Sequence, residues 1–382
     1  MKKASRCVAI DSSAEYAGAV QPIDPSTAFE YIDSGPQNYP RYFNTPNQNS
    51  VAKRIADLEG AESGLVFSSG MAAISTTLTA LLRPGDHAIF LNGLYGGSHT
   101  FVSDELNERG VDFQFVDKSN ESFAGAVKDS TKVIYVESPT NPLLEIVDLR
   151  EIAALANQHG ITTVIDNTFA SPIVQNPIEL GLDVVLHSGT KYLGGHSDLC
   201  CGAVVSDRDR MDAIRKKALH YGGSLNAMTA YLLDRSLKTL EVRVRRQNEN
   251  AMNLARFLET HEGVSRVHYP GLESHPDHQV AAAQMRSFGA MIAFELAPEI
   301  EIERFLRELE LMRPALSLGG VETSMCVPAT TSHRGVEPEQ LNSLGITPQL
   351  IRLSVGIEDG EDLKHDFDQA VTNAAEGCLT SG

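Results

Sequence analysis

Val51, Ile55 and Leu58 stand at helical spacing, with Ser50 a candidate N-cap. They open a stretch in which short apolar runs alternate with helix-period segments. Leu65-Val-Phe67 reads as a strand, and an Ala/Thr/Leu-rich helix follows Ser68-Ser-Gly-Met71 as far as Leu82. His87-Ala-Ile-Phe90, Val111-Asp-Phe-Gln-Phe115 and Lys132-Val-Ile-Tyr-Val136 read as further strands. Leu149 to Gln158 places Ile152, Leu155 and Ala156 on one helical face. Strands at 161–165, 183–187 and 202–205 complete the set. This alternation predicts an α/β fold, a mostly parallel sheet covered by helices.

Leu225 to about Thr260 reads as long helix in more than one segment. Beyond it, Met291-Ile-Ala-Phe294 and Leu350-Ile-Arg-Leu-Ser-Val355 read as strands, with helices near 299–311 and 359–375. That is the pattern of a smaller α+β domain. Residues 1–45 lack a sustained period and carry Pro22, Pro25, Gly35, Pro36 and Pro40, so they read as an extended arm. The expected division is an arm at 1–45, a larger domain at 46–240 and a C-terminal domain at 241–382.

Composition narrows the function classes. The 382 residues are 42% hydrophobic, enough for a large core. A net charge of −18 argues against nucleic acid and anionic membrane surfaces as partners. No apolar run approaches the length of a membrane span, and none follows Lys2 and Lys3 as a signal peptide requires. Cys7, Cys200, Cys201, Cys326 and Cys378 are odd in number and lack zinc spacing. Free thiols in a reducing, cytoplasmic compartment are expected, with Cys200-Cys201 packed inside. His87, His187, His196, His220 and His333 show no metal-ligand spacing, so no metal is expected and these histidines read as structural or solvent-facing.

The chemistry-bearing residues gather at strand ends. The run Asp183-Val-Val-Leu-His-Ser-Gly-Thr-Lys191 ends in two hydroxyls, a glycine and one amine. A desolvated lysine becomes a nucleophile. Ile161-Thr-Thr-Val-Ile165 ends in Asp166, which either caps the next turn or meets a cationic partner. Ser69-Gly70-Met71 opens a helix, as an ordinary N-cap or as an anion site. Tyr95 follows another strand end, where it can stack on a planar ring or pack in the core. Tyr39-Pro-Arg41 pairs an aromatic with a guanidinium suited to phosphate. Arg352 can clamp a carboxylate or form a surface ion pair. An amine for a Schiff base, hydroxyls for a phosphate and a carboxylate for a ring nitrogen are what pyridoxal phosphate requires of a protein. In open α/β sheets ligands sit beyond the carboxyl ends of strands, where these segments converge. The P-loop and G-x-G-x-x-G patterns are absent, which argues against triphosphate and dinucleotide chemistry.

Taken together, the segments resemble the cysteine/methionine-metabolism family of pyridoxal-phosphate enzymes. That family includes cystathionine γ-synthases, γ- and β-lyases, methionine γ-lyases and O-acylhomoserine sulfhydrylases. The likeness covers nearly the whole chain. It rests on Ser68-Ser-Gly-Met-Ala-Ala73, Tyr95-Gly-Gly, Glu137-Ser-Pro-Thr-Asn-Pro142, Asp166-Asn-Thr-Phe169, His187-Ser-Gly-Thr-Lys191, Ser317-Leu-Gly-Gly-Val-Glu322 and Arg352-Leu-Ser-Val-Gly-Ile-Glu-Asp359. The resemblance implies the aspartate-aminotransferase-like fold type I. It implies that Lys191 carries the cofactor, Asp166 pairs with its ring nitrogen and Tyr95 stacks on its ring. Ser69, Gly70, Met71, Ser188 and Thr190 would hold its phosphate. Tyr39 and Arg41 would reach the phosphate of a neighbouring subunit, making a homodimer the minimal active unit and a homotetramer the usual assembly. Asn141, Ser317 and Arg352 would position the cofactor oxygen and the carboxylate of a small amino-acid substrate.

The same resemblance implies a carbon–sulfur lyase performing β- or γ-elimination, with γ-replacement on an O-acylhomoserine as the alternative. An aminotransferase on a similar fold is a third reading. The arm reads Asn44-Thr-Pro-Asn47 where the family usually has Asn-Pro-Thr, and three further positions depart from family habit. Thr100 stands where cystathionine-handling members carry arginine, and Leu316 where many carry glutamate. Gly97 stands where methionine γ-lyases carry cysteine.

Overall fold

The apolar runs of the first half become strands because both faces of their sheet are covered. The protein's structure, a computed structural model, describes residues 1–9, 18–33, 35, 37–331, 334, 339, 341 and 344–379. His333 and part of the arm lie outside the described residues, and so does the Cys378 side chain. The chain divides into two compact units, Met1–Ser138 with Val147–Val242, and Pro139–Ile146 with Arg243–Gly382. The sequence boundary between them falls within helix Leu240–Glu259.

The first unit holds β1 (Ser63–Phe67), β2 (His87–Leu91), β3 (Asp112–Val116), β4 (Thr131–Glu137), β5 (Thr162–Asp166), β6 (Val184–Ser188) and β7 (Gly202–Ser206). They form one sheet in the order β1-β7-β6-β5-β4-β2-β3. The expected mostly parallel sheet is present, and β7 alone runs against the rest. Every residue of β2 and β7 is buried, as continuous apolar runs in a doubly covered sheet should be. Helix Pro46–Glu59 packs on β1 and β7, and helix Gly70–Leu81 packs on β6, β7 and helix Arg208–Tyr221.

Two local expectations are corrected. Ser50 is not an N-cap: the helix begins earlier, with Pro46 at its first position and Thr45 and Gln48 forming a capping box. Proline suits a first helical position because its missing N–H would have no partner there. The arm is not wholly extended, since Lys3–Val8 is helical and Pro40–Tyr42 makes a 3₁₀ turn. Arg54 ties the first of these down by donating to the carbonyls of Cys7 and Ala9 while it pairs with Asp234 at 2.7 Å. Of the vicinal cysteines, Cys201 is buried but Cys200 is exposed, which corrects the expectation that both pack inside.

The second unit holds β8 (Val264–His268), β9 (Met291–Leu296), β10 (Arg313–Pro314), β11 (Ser324–Cys326) and β12 (Leu350–Ser354), in the order β10-β11-β12-β9-β8. Helix Gly360–Leu379 places Phe367 against Phe257, Phe294 and Phe305. Its buried Asp366 accepts the backbone N–H groups of Glu310, Leu311 and Met312 at 2.8, 3.1 and 2.8 Å. Among the described residues, no helix is long and apolar enough to cross a membrane.

Those three N–H groups have no substitute acceptor once the carboxylate is removed. Asp366→Ala is expected to lower stability by about 2–3 kcal/mol, read as a lower midpoint in urea unfolding. Asp366→Asn, which keeps one acceptor oxygen, should lose less.

Candidate active site

The first unit collects its polar residues along one edge of the sheet. Glu137 and Asp166 end β4 and β5 and stand opposite each other in register. Ser188 ends β6, and its N–H donates to Thr168 Oγ1 at 2.7 Å. Thr168 in turn donates its N–H to Asp166 Oδ1 at 3.0 Å. One tight turn after Asp166 thus links the ends of β5 and β6.

Helix Gly70–Leu81 starts against the same edge. Ser69 Oγ accepts the Ala72 N–H at 3.1 Å, so the residue is an N-cap and the helix start is also open to an anion. A Cβ on Gly70 would stand 3.0 Å from the Ser188 Cβ, so only glycine lets helix and strand approach so closely. A Cβ on Gly97 would meet the Tyr95 ring at 2.6 Å and Met71 Sδ at 3.1 Å. Tyr95, Met71, Gly70 and Ser188 are therefore neighbours. The Tyr95 ring is 48% exposed, which rules out the core-packing alternative.

Lys191 follows in the loop after β6. Its N–H donates to the Ser188 carbonyl at 3.2 Å, and its carbonyl accepts from Gly195 at 2.7 Å. Thr190 Oγ1 accepts the Cys201 N–H at 3.0 Å and donates to the Cys201 carbonyl at 3.2 Å. The buried Cys201 thiol fills the space beside Gly189, where a Cβ would meet Sγ at 2.5 Å. The loop that carries the lysine is thereby pinned to the start of β7.

Electrostatics at this edge are tense. Both Glu137 oxygens accept the Tyr95 N–H, at 3.1 and 3.0 Å. Burial, with the nearby Asp166 adding to it, holds the Glu137 carboxyl well above its usual range. Burial also raises Asp166, opposed by the Thr168 hydrogen bonds and by the charge of His187. A cation placed at Asp166 would relieve this strain.

The second unit carries its own cluster. Arg352 lies in β12, 5% exposed. It donates Nη1–H to Asn141 Oδ1 at 2.9 Å and Nη2–H to the Ser317 carbonyl at 3.2 Å. The surface-ion-pair alternative fails because the guanidinium is buried. Ser317 has φ 87°, a left-handed conformation that costs a non-glycine residue energy. Strain of that kind is found where a backbone is shaped for a ligand. In the arm, Arg41 lies 5.1 Å from the Tyr42 ring centre and 5.9 Å from that of Tyr39. Its guanidinium donates to the Leu219 carbonyl. Among the described residues, neither Tyr39 nor Arg41 hydrogen-bonds to Ser69–Met71 or to Ser188–Lys191.

Residues 4–372 match the model of the Cys/Met metabolism PLP-dependent enzymes. A cystathionine β-lyase of Lactococcus lactis subsp. cremoris is 42% identical, over 90% of this chain and 88% of its own. A cystathionine γ-lyase of Bacillus subtilis is 41% identical, over 94% of this chain and 96% of its own. The crystal structure of a cystathionine γ-synthase from Xanthomonas oryzae pv. oryzae, in complex with aminoacrylate and cysteine, superposes with a TM-score of 0.94. It is 37% identical and covers 98% of this chain and 99% of its own.

The chain belongs to the Cys/Met metabolism family of pyridoxal-phosphate-dependent enzymes. It has the fold of that family, and its substrate is a small amino acid. The first unit fits the cofactor on structural grounds: an open helix start against Ser188, an exposed aromatic residue and, in Asp166, a strand-end carboxylate whose ionised form burial disfavours. Among the described residues, no group of three or more His, Cys, Asp or Glu could hold a metal ion.

The pattern of the chain did not disclose three residues of this edge. Thr168 hides in a turn, and His187 reads as structural. Glu59 closes helix Pro46–Glu59, the end at which a carboxylate opposes the helix dipole. That adverse placement was the available signal.

Glu137 and Asp166 keep their protons to higher pH in the fold than in the unfolded chain. Over that interval the folded apoprotein binds more protons, so stability falls as pH rises from the ordinary carboxylate range. Glu137→Gln should flatten this decline. Urea midpoints measured from about pH 5 to about pH 8 test it, and an unchanged slope would show that Glu137 is ionised in the fold.

Proposed function

We propose that this enzyme is a carbon–sulfur lyase, eliminating a group from the β or γ carbon of a sulfur amino acid in the cytoplasm. The relatives support this reading, since two of them are cystathionine lyases. The observation that carries it is the convergence of Lys191, Asp166, Tyr95 and the Gly70–Ser188 contact on one sheet edge. Pyridoxal phosphate, when bound, supplies an electron sink that makes the substrate's Cα proton acidic. Lys191 would hold the cofactor through Nζ, and the same amine would serve as the base that moves the substrate's Cα proton. Asp166 would supply the carboxylate for the ring nitrogen. Tyr95 would stack on the ring, and its hydroxyl would assist departure of the sulfur group. Ser69, Gly70, Met71, Ser188 and Thr190 receive the phosphate at the helix start, which favours negative charge.

Arg352 offers its remaining N–H groups to the substrate carboxylate, a charge-assisted interaction that a buried guanidinium makes strong. Asn141 and Ser317 hold the guanidinium still and complete that subsite. Tyr39 and Arg41 serve the phosphate of a second copy, which makes the homodimer the smallest active form and a homotetramer the expected assembly. Thr100 and Leu316 bring no charge for a distal carboxylate or amine. Leu316 is 66% exposed and apolar, so the smaller or less polar sulfur amino acids are favoured.

Purified holoenzyme given methionine, homocysteine, cystathionine or cysteine alone should release ammonia and a 2-oxo acid. Product that forms from an O-acylhomoserine only when a thiol or sulfide is added would instead establish γ-replacement. Lys191→Ala should lose the visible absorption of the lysine-bound cofactor. Its turnover should fall ~100- to 10,000-fold. A variant that keeps the wild-type band would overturn the role of Lys191.

A further inference from the structure

Behind the cofactor edge lies a buried charged network that the elimination chemistry does not use. The side chains of Glu59 and His187 are 0% and 1% exposed, and Glu59 Oε1 accepts from His187 Nε2 at 2.6 Å. The same oxygen accepts from Asn167 Nδ2 at 2.8 Å, and Oε2 accepts from Asn176 Nδ2 at 3.0 Å. Gln175 closes the network by donating to Asn167 Oδ1 at 3.1 Å and to the Ser138 carbonyl at 3.0 Å.

Three donors on one buried carboxylate replace the water it has lost. Stability of the helix does not explain the placement, because Glu59 is the last helical residue and opposes the dipole. Its partners do explain it. Asn167 directly follows Asp166, and its N–H donates to the Leu186 carbonyl at 2.9 Å. Leu186 is the register partner of Asp166, and His187 comes next in the same strand. Glu59 therefore grips the residues beside Asp166 on both β5 and β6.

We propose that Glu59 is a positioning residue which, through His187 and Asn167, sets the place and charge of the carboxylate at Asp166. The proposal rests on the assignment of Asp166 as partner of the cofactor's ring nitrogen. Burial disfavours ionised Asp166, whereas the Thr168 hydrogen bonds and the neighbouring His187 favour it. Tyr135, also on β4, feels both carboxylates, and its hydroxyl stays protonated there. A glutamine at position 59 would put an N–H donor in place of one acceptor oxygen, breaking the hydrogen bonds that hold His187 or Asn176 and loosening the grip beside Asp166. Asp166 would then lose the fixed neighbours that hold its strand end in place.

The test uses holoenzyme loaded with pyridoxal phosphate, followed by visible absorption across pH. Glu59→Gln should shift the midpoint of the spectral transition by about half a pH unit or more. Turnover should drop ~10- to 100-fold with little change in KM. His187→Gln should do the same, and the double variant should add nothing further, as expected of residues acting as one unit. Asn176→Ser removes a Glu59 partner that does not adjoin Asp166, and should lower stability without moving the midpoint. Wild-type spectral midpoints in both Glu59→Gln and His187→Gln would overturn the proposal, as would an Asn176→Ser shift equal to that of Glu59→Gln. Should Glu59→Gln fail to fold, His187→Gln decides by the same spectral criterion. Asp166→Asn separates the two levels. If it moves the spectrum and Glu59→Gln does not, only the role of Glu59 fails; if it also leaves the spectrum unchanged, the assignment of Asp166 fails.

Discussion

Parallel strands buried on both faces can place polar groups only at their ends, and the first unit depends on that constraint. The apolar runs of β4, β5 and β6 give way to polar residues at Glu137, Asp166 and His187–Ser188. Adjacent registers then bring these terminal residues side by side. Two carboxyls so close in an apolar surround cannot both ionise cheaply. Burial pushes the Glu137 carboxyl well above its usual range, while Thr168 and His187 favour charge on Asp166. The asymmetry leaves one acid poised to meet a cation and the other poised to hold the Tyr95 backbone.

Close approach is the second requirement. Gly70 brings the helix start onto Ser188, and Gly97 leaves room for the Tyr95 ring beside Met71. Cys201 fills the space under Gly189 and fixes Thr190 through two hydrogen bonds. These contacts explain why small residues cluster in motifs that otherwise look chemically silent. Their contribution is geometric: each lets a donor or a ring stand where a side chain would otherwise block it.

Much of this was legible along the chain. Apolar runs that end abruptly in Asp166, Ser188 or Glu137 mark strand ends, because burial on both faces erases the alternation seen in half-exposed strands. Helix Arg208–Tyr221 escaped notice because only Met211, Ile214 and Ala218 of its residues are buried, too sparse a stripe to stand out. β8 and the two-residue β10 escaped because they are partly exposed and carry no apolar run. The start of helix Pro46–Glu59 was misplaced because a Thr-Pro pair with Gln48 outweighs the serine nearer the apolar positions. The Glu59 network was illegible for a different reason. Its partners Asn167 and His187 lie 108 and 128 residues away, so its meaning exists only after folding.

The placement of charge also separates what the family shares from what distinguishes its members. In the proposed reading, Lys191, Asp166 and the helix start would serve the cofactor, and Arg352 with Asn141 the group common to all amino acids. Each of these is buried or held by neighbours, so their geometry tolerates little change. Thr100 and Leu316 differ from the family habit at exposed positions, where substitution disturbs no packed neighbour. A charged side chain at either place would cost the fold little. In the proposed reading the absence of charge there would bear on recognition, since an uncharged surface does not reward a second carboxylate or amine on the substrate. Specificity in such a scaffold is set where the fold is most permissive, and chemistry where it is least so.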